Sequence, residues 1–298
     1  MTQPASTQTH FWTRQGFPIR YQTAGTDGPP LLLIHGFGAH SDHWRKNLPD
    51  LGQTNRVYAI DLIGYGQSAK PFPGEPLPYT FETWGQQVID FCQDIIGESA
   101  FLVGNSIGCI VAMQAATMAP GRVLGLVVLD CSLRLLHDRK RATLPWYRNA
   151  PTPLIQAILN YKPVGQFFFA RLATPKTLKN ILRQAYGRKE QVTDELIELL
   201  LAPACDPAAV DVFVAFISYS QGPLPEDLLP QLRCPVLMLW GDADPWEPIE
   251  LGRELGKYSV VEEFIPLAGV GHCPQDEAPE LVNPLIANWV ARAVTGLA

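Results

Sequence analysis

Three residue types with the right neighbours make this sequence chemically interesting. Ser106 stands in "GNSIG" between Gly104 and Gly108, at the end of an apolar run and the start of a small-residue stretch. That is the pattern of a nucleophile placed on a sharp strand-to-helix turn, where side chains at positions 104 and 108 would collide with the neighbouring chain. A serine hydroxyl is a weak nucleophile near neutral pH and needs a base, which in turn needs a carboxylate to orient it. His272, in "GVGHCPQDEAPE", lies in a loop between a predicted last strand and a predicted final helix at 281–294, so it is the candidate base. Together these residues point to acyl transfer through a serine.

Two acids compete for the third place. Asp244 follows an apolar run in "LWGDADPWEP", and Asp130 ends another in "VVLDCS"; both satisfy the chain order Ser, Asp, His. The "GDADP" turn presents Asp244 beyond its strand and favours it, with Asp242 bracing that turn and Asp130 as the alternative acid. The negative oxygen of a tetrahedral intermediate needs donors. The backbone N–H groups of Ile107 and of Phe37, within His35-Gly36-Phe37-Gly38, are the candidates for this oxyanion hole. His35 reads as a loop-shaping residue and Asp61 in "DLIGYGQS" as a loop-bracing carboxylate, while His10, His40, His43 and His137 read as surface or packing residues.

The elements that must hold these groups follow from the apolar pattern. Runs at 31–34, 56–61, 100–103, 123–130, 235–240 and 260–265 are continuous, β-branched or Leu-rich, and several are separated by helical patterns. Such runs are parallel strands covered on both faces. The expected class is α/β, a mostly parallel, doubly wound sheet with ligands beyond the carboxyl ends of the strands. Residues 133–232 break the rhythm with helical patterns starting near Thr174-Pro175 and Asp206-Pro207, and read as a helical cap inserted between core segments 1–132 and 233–298. The cap's aromatic residues Trp146, Phe167, Phe168, Phe169 and Phe216, with Trp246 beside the acid turn, are candidate substrate-binding residues. Three consecutive phenylalanines cannot all face one way on a helix, so at least one should meet a pocket, a partner or a lipid surface.

Composition excludes several classes. A net charge of −6 with no basic tract argues against nucleic acid as a partner. Apolar segments are interrupted well before the roughly 18–20 residues that a spanning helix requires. The amino terminus, "MTQPASTQTHFWTRQG", lacks the apolar core of a secretory signal and the Arg-rich texture of a transit peptide. Six cysteines without a C-x-x-C pair suit reduced thiols better than a zinc site or a disulfide framework. A cytoplasmic protein is the expectation.

"HGFG", "DLIGYGQS", "GNSIG", "GDADP" and "GHCPQDEAPE", in this order over residues 25–295, resemble the α/β-hydrolase superfamily. The resemblance implies the Ser106–Asp244–His272 assignment and the Phe37/Ile107 oxyanion hole. Ser106 sets the chain apart from the haloalkane dehalogenase and epoxide hydrolase branches, which use aspartate. The cap sequence and Asn105 before the nucleophile are similar to the pheophytinase and chlorophyll dephytylase group of photosynthetic organisms. That likeness implies removal of phytol from chlorophyll or pheophytin through an acyl-enzyme, with no metal or organic cofactor. The aromatic, Leu-rich cap offers a surface that would line a long apolar pocket or rest on a bilayer, so peripheral contact with a thylakoid membrane is expected. The missing transit-peptide texture suggests a cyanobacterial-type protein or a trimmed mature plant chain. Cys109 departs from the glycine that relatives often carry there. A general carboxylesterase or carbon–carbon bond hydrolase would share every catalytic residue. A small-molecule receptor of the same fold is a further alternative.

Overall fold

The computed structural model describes residues 5–74, 77–135, 137–141 and 162–297. Its centre is an eight-stranded sheet whose strands, β1 (Gln8–Arg14), β2 (Phe17–Ala24) and β3 to β8 at 30–34, 56–60, 100–105, 123–129, 236–241 and 261–267, lie in the order β1-β2-β4-β3-β5-β6-β7-β8. The six strands expected from the apolar runs are β3 (Pro30–Ile34), β4 (Arg56–Ile60), β5 (Ala100–Asn105), β6 (Val123–Leu129), β7 (Val236–Gly241) and β8 (Val261–Leu267), all parallel to one another. Alternate residues of β3 and β5 fall into two cores. Leu32, Ile34 and Leu102 face one core, and Leu31, Leu33, Phe101 and Val103 face the other, where Trp289 of the Pro279–Leu297 helix packs. Both faces are covered, which is why these strands read as unbroken apolar runs.

Two strands lie outside the sequence expectation. β1 (Gln8–Arg14) and β2 (Phe17–Ala24) form an antiparallel hairpin, and β2 runs antiparallel to β4. Gln15 and Gly16 both take positive φ, 52° and 82°, the geometry of a tight two-residue hairpin turn. β1 is an edge strand with alternating, half-exposed residues, so it carries no continuous apolar run.

The chain passes from β3 to β4 on one side and then returns to β5 on the other, so the strand order reverses around β3. Crevices at such switch points hold ligands beyond the strand ends. After β5 comes the Ile107–Met118 helix, apolar nearly all round and buried between the sheet and the Phe81–Phe91 helix. Between β6 and β7 the described residues form helices and loops. The larger helices are Lys162–Leu172, Pro175–Ala185, Asp194–Leu201 and Ala209–Ile217. Thr174 and Thr193 cap two of them, each hydroxyl accepting from the amide three residues on at 3.2 Å. No single helix among the described residues is long and apolar enough to cross a membrane.

Candidate active site

Ser106 joins β5 to the Ile107–Met118 helix with φ 56° and ψ −119°, a conformation that costs a non-glycine residue about 1–3 kcal/mol. Its amide donates to Leu129 O at 3.0 Å, and its carbonyl accepts from the amides of Cys109 and Ser132 at 3.1 and 3.2 Å. The flanking glycines are steric requirements. A Cβ at 104 would lie 2.6 Å from the carbonyl oxygen of Gly108, and one at 108 would lie 2.4 Å from Ile34 O. Cys109 fits because its thiol is small and turns inward, donating to Gly104 O at 3.1 Å.

The candidate acid and base come from the ends of β7 and β8. Asp244 Oδ1 accepts from the amides of Trp246 and Glu247 at 2.8 and 3.1 Å, which fixes the carboxylate, and its Oδ2 lies 2.7 Å from His272 Nδ1. With Nδ1–H donating to the carboxylate, Nε2 of the neutral ring is left as an acceptor. The backbone of His272 is held twice, its amide by Ala185 O of the cap at 2.9 Å and its carbonyl by Asn105 Nδ2 at 3.0 Å. Asp242 braces the loop by accepting from Gly269 N at 2.7 Å.

Asp130, the alternative acid, is turned to the backbone: its Oδ1 accepts from Gly241 N at 2.9 Å. Complete burial and the nearby charge of Asp244 push its carboxyl well above the usual range. Asp130 braces the end of β7, while the carboxylate on His272 Nδ1 is that of Asp244.

Ser106 and His272 line a cavity of about 490 Å³ together with Phe37 and Ile107. Its cap side is made by Phe169, Leu172, Leu178, Ile181, Leu200 and Phe213, all apolar. Phe216 also lines it, its ring stacked on that of Phe37 with centroids 4.7 Å apart. Trp246 lies 5.0 Å from the His272 ring. Of the three consecutive phenylalanines only Phe169 reaches the cavity. Phe167 and Phe168 are 63% and 41% exposed and correct the expectation that they bind substrate, because successive helical residues point about 100° apart. Trp146 lies outside the described residues.

Several groups were not anticipated. Glu247, three residues beyond Asp244, is buried in the cavity wall, its Oε2 accepting from Leu133 N at 3.0 Å. Burial pushes its carboxyl up to about 7. His43, expected on the surface or in packing, also lines the cavity and bonds to Tyr186 Oη at 3.0 Å. Tyr186 in turn donates to Asp276 at 3.1 Å. Burial lowers the His43 imidazole to about 4, so this ring is neutral. Gln275 Nε2 bridges His43 Nδ1 and Asn105 Oδ1 at 3.4 and 3.1 Å, linking the network to the residue before Ser106. His35 and Asp61 do serve loops: His35 accepts from Leu62 N, and Asp61 accepts from the amides of Ser41 and Gln67.

The family model described as the alpha/beta hydrolase family matches residues 31–285. The chain belongs to the α/β-hydrolase family. Among curated relatives it is 28% identical to the chloroplastic pheophytinase of Arabidopsis thaliana, with 93% of this chain and 65% of that protein aligned, so the chain spans about two thirds of that relative's length. It is 27% identical to the uncharacterized hydrolase YugF of Bacillus subtilis (strain 168), over 91% of this chain and 92% of that one. The solved structure of the epoxide hydrolase CorEH superposes with a TM-score of 0.79 at 20% identity, covering 96% of this chain and 99% of that one, a likeness of fold. As an α/β hydrolase, the protein is a hydrolase by family.

Proposed function

We propose that this hydrolase cleaves large apolar carboxylic esters through a serine acyl-enzyme, and that its substrate is the phytyl ester of chlorophyll or pheophytin. The observation that carries the reading is one cavity with Ser106, His272 and the Phe37/Ile107 loop at its polar end and an aliphatic and phenyl wall from the cap. Apolar walls with a few convergent polar groups are what a small-molecule site of this size requires. The likeness to pheophytinase supports the pigment assignment.

In this reading His272 Nε2 takes the proton of Ser106 as Oγ attacks the ester carbonyl, while Asp244 holds Nδ1–H and stabilises the imidazolium. The amides of Phe37 and Ile107 bind the oxyanion. The alcohol leaves with the proton from His272. Water then attacks the acyl-enzyme by the same route, releasing the acid and restoring Ser106.

The test is incubation of the purified protein with chlorophyll a and with pheophytin a in detergent, beside Ser106→Ala, with chromatographic detection of phytol. Phytol released by the wild type and reduced by about 10⁴-fold or more in Ser106→Ala is the expected result. Cleavage of a simple short-chain ester with both pigments left intact would replace the pigment assignment by a general carboxylesterase, a reading that the uniformly apolar cap wall also suits.

A further inference from the structure

One segment of this acidic chain is locally basic, with Lys179 paired to Asp194 and Arg188 to Glu280. Residues 162–189 hold seven of the 23 Lys and Arg and none of the 29 Asp and Glu. The Pro175–Ala185 helix divides this segment by face. Leu178, Ile181, Leu182 and Ala185 line the cavity, while Lys176 and Arg183 are exposed. The preceding helix, Lys162–Leu172, repeats the division. Phe169 and Leu172 line the cavity, and Phe167 and Phe168 are exposed, with the exposed guanidinium of Arg171 4.8 Å above the Phe167 ring. Thr177 Oγ1 donates to Arg171 O at 3.0 Å, tying the two helices at their corner.

Two adjacent exposed phenyl rings cost solvation in water and gain it at the headgroup–acyl boundary of a bilayer. Exposed Lys and Arg on the same helices add attraction to anionic headgroups, and their long apolar stems let them lie along the surface. We propose that the outer side of the Lys162–Leu172 and Pro175–Ala185 helices docks on an anionic lipid surface, with Phe167 and Phe168 inserted at the boundary. The cavity wall is then the other side of the membrane-bound helices, and an apolar ester drawn from the lipid has a short path to Ser106. This docking does not depend on the ester assigned above, because it is read without turnover.

The experiment is sedimentation of the full chain with vesicles of phosphatidylcholine alone and of an equal mixture with phosphatidylglycerol, at low and high salt. Wild-type protein should bind the mixed vesicles, release them at high salt and leave the neutral vesicles unbound. Reversing two charges in Lys176→Glu/Arg183→Glu should weaken binding about tenfold or more while hydrolysis of a soluble short-chain ester stays unchanged. Phe167→Ser, checked for fold by circular dichroism, should weaken binding to the mixed vesicles at low salt. Equal binding by wild type and the charge-reversed protein would overturn the proposal. Retention on heparin without vesicle binding would also overturn it, and would assign the surface to a soluble polyanion.

Discussion

The amide of His272 donates to the carbonyl of Ala185 at 2.9 Å, so the residue carrying the imidazole is fastened to the last turn of a cap helix. The two chains approach so closely that a Cβ at Gly271 would stand 2.2 Å from Ala185 O and 2.4 Å from Gly187 N. The position of the cap and the position of the base are therefore one geometric fact.

Gly271→Ala should expose this link. The added methyl must part the cap from the histidine loop, and a displacement of about 1 Å at a reacting group costs on the order of 10²-fold. The expected result is a loss of that size in kcat on a short ester, measured beside a lowered melting temperature. Activity at the wild-type level would show that the base does not depend on this contact.

The two aspartates should separate in the same assay. Asp244→Asn leaves His272 Nδ1 without its carboxylate and should lower kcat/KM by about 10³–10⁴-fold. Asp130→Asn replaces a buried acid that accepts from Gly241 N and does not touch His272, and should cost about tenfold or less. The reverse ranking would move the acid to the end of β6.

Glu247 gives the stability a pH dependence of known sign. Its folded-state carboxyl titrates near 7, above the ordinary glutamate value of 4.5, because burial penalises the charge. Between those values Glu247 binds more protons in the folded protein than in the unfolded chain, so its contribution to stability is fully present below 4.5 and is lost as pH rises through 7. For this residue, 9% exposed, the loss is about 3 kcal/mol at 1.36 kcal/mol per unit. Urea unfolding at pH 5 and pH 8 should show the decline, and Glu247→Gln should flatten it.

Ser106→Gly should stabilise the fold while abolishing hydrolysis. Glycine relieves the positive φ of the elbow, a gain of about 1 kcal/mol set against the entropy of a freer unfolded chain. An unchanged or lower urea midpoint would mean that the elbow stores no strain.

The elbow and the strand ends were readable because both rest on local, steep rules. Gly104 and Gly108 face backbone atoms that no side chain can displace, and β3 and β5, buried on both faces, admit few polar residues. The hairpin was not readable from apolar runs, since β1 alternates buried and exposed positions, and its signal was the Gln15-Gly16 turn. Glu247 reads as a loop acid until β7 and the Asp244 turn carry it into the cavity wall. His43 and Gln275 meet only because two distant loops converge behind Asn105, a contact with no periodicity to announce it. The choice between Asp244 and Asp130 needed burial and direction, which spacing does not encode.

The groups proposed for the chemistry lie far apart along the chain, with Ser106 in the first half, Asp244 near the start of the final quarter, and His272 in a loop that closes against the cap. During synthesis the nucleophile emerges from the ribosome long before its base. A chain that ends before residue 272 thus carries the serine without the imidazole proposed as its base, and on the proposed mechanism it has no hydrolytic activity.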